Sequence, residues 1–177
     1  MVWGLTPEAW ERIAELLGKV ANMKDGLKYA AIAVLILSFF CIMSRIDFIV
    51  HGTLYDYGLH FSYDWALEYW VLYPAAFVIF ALAAGFMFWL GSGKTPRDLK
   101  FSAAIAATVI ILMIGGLQDL MFFVLWAGGL PPAEVVWWWN PWRHILGSWS
   151  SGSQIASSLL ALIATALLWK QTLRERT

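Results

Sequence analysis

Four apolar runs, at about 29–50, 65–90, 101–127 and 149–169, constrain this chain more than anything else in it. Each is long enough to cross a bilayer, which takes roughly 20 predominantly apolar residues. A polypeptide crossing lipid in single runs of this kind does so as helices, because only a helix satisfies its own backbone there. The expected fold is therefore an all-α integral membrane protein, a four-transmembrane-helix bundle filling residues 28–177. Composition agrees. Charged residues make up 14% of the chain and hydrophobic ones 60%, whereas about a quarter of a soluble domain is charged. The formal net charge is zero, which argues against nucleic acid as a partner.

Residues 1–27 read differently. Thr6-Pro7-Glu8 is a helix start, with a capping hydroxyl, a proline suited to the first turn and an acid at the positive end. Trp10, Ile13, Leu17 and Val20 then recur at helical spacing, with Glu8, Glu11, Glu15 and Lys19 off that stripe. The expectation is an amphipathic helix lying on the cytoplasmic membrane surface. No apolar core of signal-peptide type precedes it.

Charge is segregated along the chain. Every Lys and Arg except Arg45 and Arg143 falls before the first run, between the second and third, or after the fourth. By the positive-inside rule those segments are cytoplasmic, and so are both termini. The opposite side receives Asp47, Asp56, Asp64, Glu68, Asp119 and Glu134 together with His51, His60 and His144. A multi-pass protein of the cell membrane follows, with lipid as its first partner and other membrane subunits, or a second copy, as further ones.

Several local signals refine the spans. Gly52 and Gly58 interrupt the first connection, and its aromatic residues suit the headgroup level. Pro74 is a candidate kink in the second span. Ala81, Ala83, Ala84 and Gly85 give it a small-residue face. Thr95-Pro96-Arg97-Asp98 has the pattern of a capping box opening the third span. Gly93-Lys94-Thr95 is not a phosphate loop, since Phe88 stands where that motif needs a glycine. Gly115-Gly116 thins the third span just before Gln118-Asp119. At ~1.5 Å per residue Asp119 lies about 13 Å inside that span's outer end, so it must face protein or trapped water, or carry a proton. The loop holding Trp137, Trp138, Trp139 and Trp142 reads as an interfacial slab or a lid. Ser150, Ser151, Ser153, Ser157 and Ser158 promise tight packing in the fourth span, and Gln154 a hydrogen bond into the bundle.

The residues that carry chemistry cluster between Ser44 and Trp70. Asp47 and His51 are four apart, as are Asp64 and Glu68, so each pair shares a helix face. With Asp119 and His144 they form a candidate metal set, Asp47, His51, Asp64, Glu68, Asp119 and His144. Imidazole and carboxylate together suit zinc, iron or copper, and inward-pointing side chains of helical bundles hold such ions. In a catalytic role Asp119 serves as general acid or base and His51 as proton carrier. Two other readings compete. One is a satisfied polar network in which Arg45 and Arg143 pair with the carboxylates. The other is an aromatic-walled pocket for an organic ligand such as a quinone, haem or isoprenoid, with His51 and His144 as the available haem pair. Cys41, the single cysteine, lies inside an apolar run and reads as a small buried hydrophobe.

The segment HGTLYDYGLHFSYDWALEYW resembles the outer segment of the small C-type subunit of membrane copper monooxygenases. That family places an acid, an imidazole and a second imidazole at positions matched here by His51, Tyr55 and Glu68, so the ligand set differs. What the resemblance implies is a site on this side of the membrane and a place among other subunits.

Two functional readings result. The first is a membrane protein with a His/carboxylate-lined polar site in its extracytoplasmic half, binding a divalent metal or small ligand and capable of catalysis. The second is an accessory or structural subunit of a larger membrane complex. A channel or transporter is disfavoured, because the cytoplasmic halves of the spans carry almost no polar residues to continue a path.

Overall fold

The computed structural model describes residues 11–12, 25–56, 63–137 and 140–174, with only the backbone described over 63–70. The described residues are helical apart from connecting loops: α1 Asp25–Asp56, α2 Tyr63–Leu90, α3 Pro96–Ile114, α4 Leu117–Met121 with a π-helical turn Phe122–Trp126, α5 Trp142–Leu146 and α6 Ser151–Arg174. The expected N-terminal surface helix falls outside the described residues, save that Glu11 and Arg12 are helical and exposed. Three helices are long and apolar enough to cross a membrane unaided, and a fourth crossing exists if α3 and α4 with its π-helical turn count as one span. The chain is thus an α-helical membrane protein of several spans.

The expected spans need two corrections. The first helix does not stop near residue 50 but runs through Gly52 to Asp56. The helix tolerates this glycine, which has open space around it. The third span is not one continuous helix. It breaks at Gly115-Gly116, and its halves meet at 61°. Gly116 takes φ +72°, a left-handed conformation that favours glycine. Pro74, in contrast, is carried inside α2 without ending it.

Small residues and large rings divide the packing. Along α2 the buried and half-buried positions Phe77, Ala81, Ala84, Gly85 and Phe88 follow helical spacing. At Gly85 the α3 backbone comes so close that a Cβ there would sit 2.7 Å from the Ser102 carbonyl oxygen. Ser102 Oγ in turn donates to Gly85 O at 2.7 Å. Ala83, placed on the same face from the sequence, is exposed. The capping box at the start of α3 is present, with Asp98 N donating to Thr95 Oγ1 at 3.2 Å and Thr95 N donating to Asp98 Oδ2 at 2.9 Å.

The core joins Ile36 and Phe40 of α1, Phe77 and Ala81 of α2, Ile105, Val109 and Leu112 of α3, Leu117 of α4 and Ala161 of α6. Helix α1 meets α2 through rings, Phe39 stacked on Phe80 at 3.8 Å and Phe40 edge-on to Phe77 at 5.0 Å. At one end of the bundle Tyr29, Phe101 and Trp169 meet, so the starts of α1 and α3 and the end of α6 lie together. Lys28, Arg97 and Lys170 belong to that basic end. Asp47 and His51 lie toward the opposite end of α1.

Candidate functional site

Helix α1 turns one stripe inward: Ile36, Phe40, Ser44 and Asp47 are all buried, at successive spacings of four, four and three. The stripe changes from apolar to polar as it climbs, and one turn further on lies His51. Asp47 is 6% exposed, unusual for a carboxylate facing the inside of an apolar bundle. Burial at that depth requires partners, and two are present. Gln118 Nε2 donates to Asp47 Oδ2 at 2.8 Å. His51 Nδ1 lies 3.0 Å from Asp47 Oδ1 and 2.9 Å from the Asp47 carbonyl oxygen. Both are acceptors, so Nδ1 carries the hydrogen and donates. In the neutral imidazole the lone pair then sits on Nε2. His51 is 42% exposed at its side chain, and its ring is edge-on to Phe122 at 5.8 Å.

The other wall comes from beyond the broken span. Asp119 follows Gln118 in α4, is half-buried, and stands within electrostatic range of Asp47 and His51. Among the described residues nothing donates a hydrogen bond to its carboxylate. Asp47 and His51 are thus in contact, and a second carboxylate that lacks a donor lies within electrostatic range of them.

The six metal candidates fare unequally. Asp47 and His51 come together, and Asp119 stands within electrostatic range of both. Asp64 and Glu68 lie in the first turns of α2, where the backbone alone is described. His144 is exposed on α5 and takes no part in the cluster. Among the described residues no three His, Cys, Asp or Glu side chains form a group that could hold a metal ion. The expected pairing of Arg45 and Arg143 with carboxylates is replaced for Arg45 by rings: its guanidinium lies 4.9 Å from the Trp126 ring centre and 5.3 Å from that of Phe48. Arg143 is half-buried and joins no ion pair among the described residues. Asp56 and Glu134 are exposed, and His60 lies outside the described residues.

Ser44 and Trp126 belong to the same neighbourhood, although nothing in the sequence linked them. Trp126 Nε1 donates to Ser44 Oγ at 2.9 Å, and Ser44 Oγ donates to Cys41 O at 2.8 Å. Gln118 was legible only as a polar residue beside Asp119. What the sequence does not reveal is that it reaches α1.

A second polar knot holds the break itself. Gln154 of α6, fully buried, donates from Nε2 to Gly116 O at 2.6 Å and to Gly115 O at 3.4 Å. Its Oε1 accepts from Trp149 Nε1 at 2.9 Å and Asn140 Nδ2 at 3.4 Å. Ser158 Oγ donates to Gly115 O at 2.9 Å, and Trp142 Nε1 to Ile114 O at 3.2 Å. Carbonyls released by a helix break inside lipid must find donors, and these side chains supply them. The tryptophan loop is thus partly an internal element. Trp137 is fully buried against Phe123 at 4.8 Å and Trp149 is 5% exposed, while Trp138 and Trp139 lie outside the described residues.

The chain matches no family model, no curated protein and no solved structure.

Proposed function

We propose that this membrane protein binds a divalent transition metal, zinc, iron or copper, at a site built on Asp47, His51 and Asp119 in the extracytoplasmic half of the bundle. The observation that carries this reading is the orientation of His51. Its Nδ1 is held by Asp47 at 3.0 Å, the carboxylate–imidazole arrangement that stands behind metal-bound histidines and leaves Nε2 as ligand. The donorless carboxylate of Asp119 supplies the complementary charge. Asp47, His51 and Asp119 do not complete a site by themselves. The remaining ligands come from Asp64 or Glu68 at the start of α2, from water, or from a neighbouring subunit. Elemental analysis of detergent-purified protein after loading with each metal tests the assignment. A stoichiometric ion that is lost in both Asp47→Ala and His51→Ala is the expected result. Absence of any bound ion, or its retention in both variants, refutes it.

A second reading, that the chain is a subunit of a larger membrane complex, is supported by its thin core. The apolar windows of its unaided spans are only 17–22% buried within the chain. Lipid covers such surface as readily as protein does, so native mass spectrometry decides. A clean monomer from gently solubilised membranes counts against the subunit reading.

A further inference from the structure

A cavity of about 910 Å³ opens at the basic end of the bundle, between the start of α1 and the paired helices α2 and α3. This is at the large end of the range for ligand pockets, about 300–1,000 Å³. Its origin is a change in side-chain size along two facing helices. In mid-bundle the stacked rings Phe39 and Phe80 hold α1 away from α2. Toward the basic end the facing positions are Ala31, Ala83 and Ala84, which line the cavity and are too small to close the gap. The deeper walls are apolar, Ile32, Leu35 and Met87 among them.

The rim is cationic. Lys28 and Arg97 both line the mouth, and among the described residues neither forms an ion pair. Among the described residues the acid beside them is Asp98, whose Oδ2 is engaged by the Thr95 backbone N at 2.9 Å and the Thr95 hydroxyl at 2.8 Å. Its charge holds the α3 cap and also acts on Arg97 and Lys28, so these three groups leave the rim a net positive charge. Lys94 and Lys100 flank the same turn and are exposed. An apolar slot of this volume, open to the side of the bundle under two cations, suits a molecule with a hydrocarbon tail and an anionic head. Basic pockets between membrane helices take anionic lipid headgroups for this reason.

We propose that this groove is a binding site for one anionic phospholipid of the leaflet at the basic end, its acyl chain between α1 and α2 and its phosphate between Lys28 and Arg97. The site is independent of the Asp47–His51 cluster at the opposite end. The test uses the full chain in nanodiscs and detergent, with dioleoyl-phosphatidylglycerol and dioleoyl-phosphatidylcholine as probes, read by native mass spectrometry of retained lipid. Wild-type protein should hold one phosphatidylglycerol in preference to phosphatidylcholine. Lys28→Gln with Arg97→Gln should weaken that retention about thirtyfold, from roughly a fivefold loss per cation. Ala83→Phe, which fills the slot and leaves its charges, should displace the lipid while far-UV circular dichroism stays unchanged. If the double variant misfolds, Arg97→Gln alone, at an exposed position, should still cost several-fold. Equal retention of the two lipids by wild type overturns the proposal. So does retention unaffected by both the charge and the filling variants, or a protein helix found cross-linked into the slot in place of lipid.

Discussion

Replacing Gly116 by alanine tests the break in the third span at its centre. Two costs arise there, and they can be separated. At φ +72° an L-residue pays roughly 1 kcal/mol or somewhat more for the left-handed backbone. The added Cβ would also lie 1.9 Å from Gln154 Nε2, so the amide must leave. Gln154 then loses its bond to the Gly116 carbonyl and disturbs those to Trp149 and Asn140. Hydrogen bonds between membrane helices average about 0.6 kcal/mol each. Three of them add roughly 2 kcal/mol, for a total near 3 kcal/mol. The steric part vanishes if the amide is absent beforehand. In the background Gln154→Ala, Gly116→Ala should therefore cost only the backbone share, about 1 kcal/mol. A double-mutant cycle, measured by reversible unfolding in mixed micelles or by steric trapping in bilayers, should give a coupling of about 2 kcal/mol between the two sites. Additive effects would refute the idea that Gln154 holds the break, as would a Gly116→Ala variant as stable as wild type.

Two further outcomes follow from the packing. Gly85→Ala should destabilise by about 1–3 kcal/mol, because the methyl group meets the Ser102 backbone carbonyl at 2.7 Å and α2 must move off α3; a thermal melt in detergent equal to wild type would contradict the close approach. Trp126→Phe removes the donor to Ser44 Oγ and the better ring beneath Arg45, and should cost about 1 kcal/mol, with Ser44→Ala adding little on top because both variants delete the same bond.

How much of this was legible in the sequence depended on the range of the interaction. The capping box at Thr95–Asp98 is confined to four consecutive residues, and the pattern specified it. The Asp47–His51 pair is likewise one helical turn, and its geometry follows from the spacing. The small-residue face of α2 was readable as a class, yet Ala83 and Ala84 line the open groove while Gly85 packs on α3. The phase of a uniformly apolar helix is invisible when polar residues do not mark its outer side. The bend in the third span is hidden for a related reason. Gly115-Gly116 signalled thinning, but the bend depends on donors far along the chain, Trp142, Gln154 and Ser158, which accept the task of satisfying the freed carbonyls. The ring partners of Arg45 were hidden in the same way, since Trp126 lies beyond the break.

The two polar knots are mechanically one arrangement. Helix α3 packs against α2 and α6, whereas α4 and its π-helical turn pack against α1. The chain passes from one neighbourhood to the other through the 61° bend at Gly115-Gly116. Gln118 and Asp119 come directly after it, on the first turn of the redirected helix. A straight continuation of α3 would carry them away on α3's own course, and Asp47 would lose the Gln118 donor and keep His51. At 6% exposure each donor lost from a carboxylate raises the cost of keeping it charged. The Gln154 amide, bonded to the backbone at Gly115 and Gly116, thus sets the course of the helix that carries Gln118 and Asp119. That dependence explains why the most heavily hydrogen-bonded side chain among the described residues stands at a helix break, away from the cluster of charges.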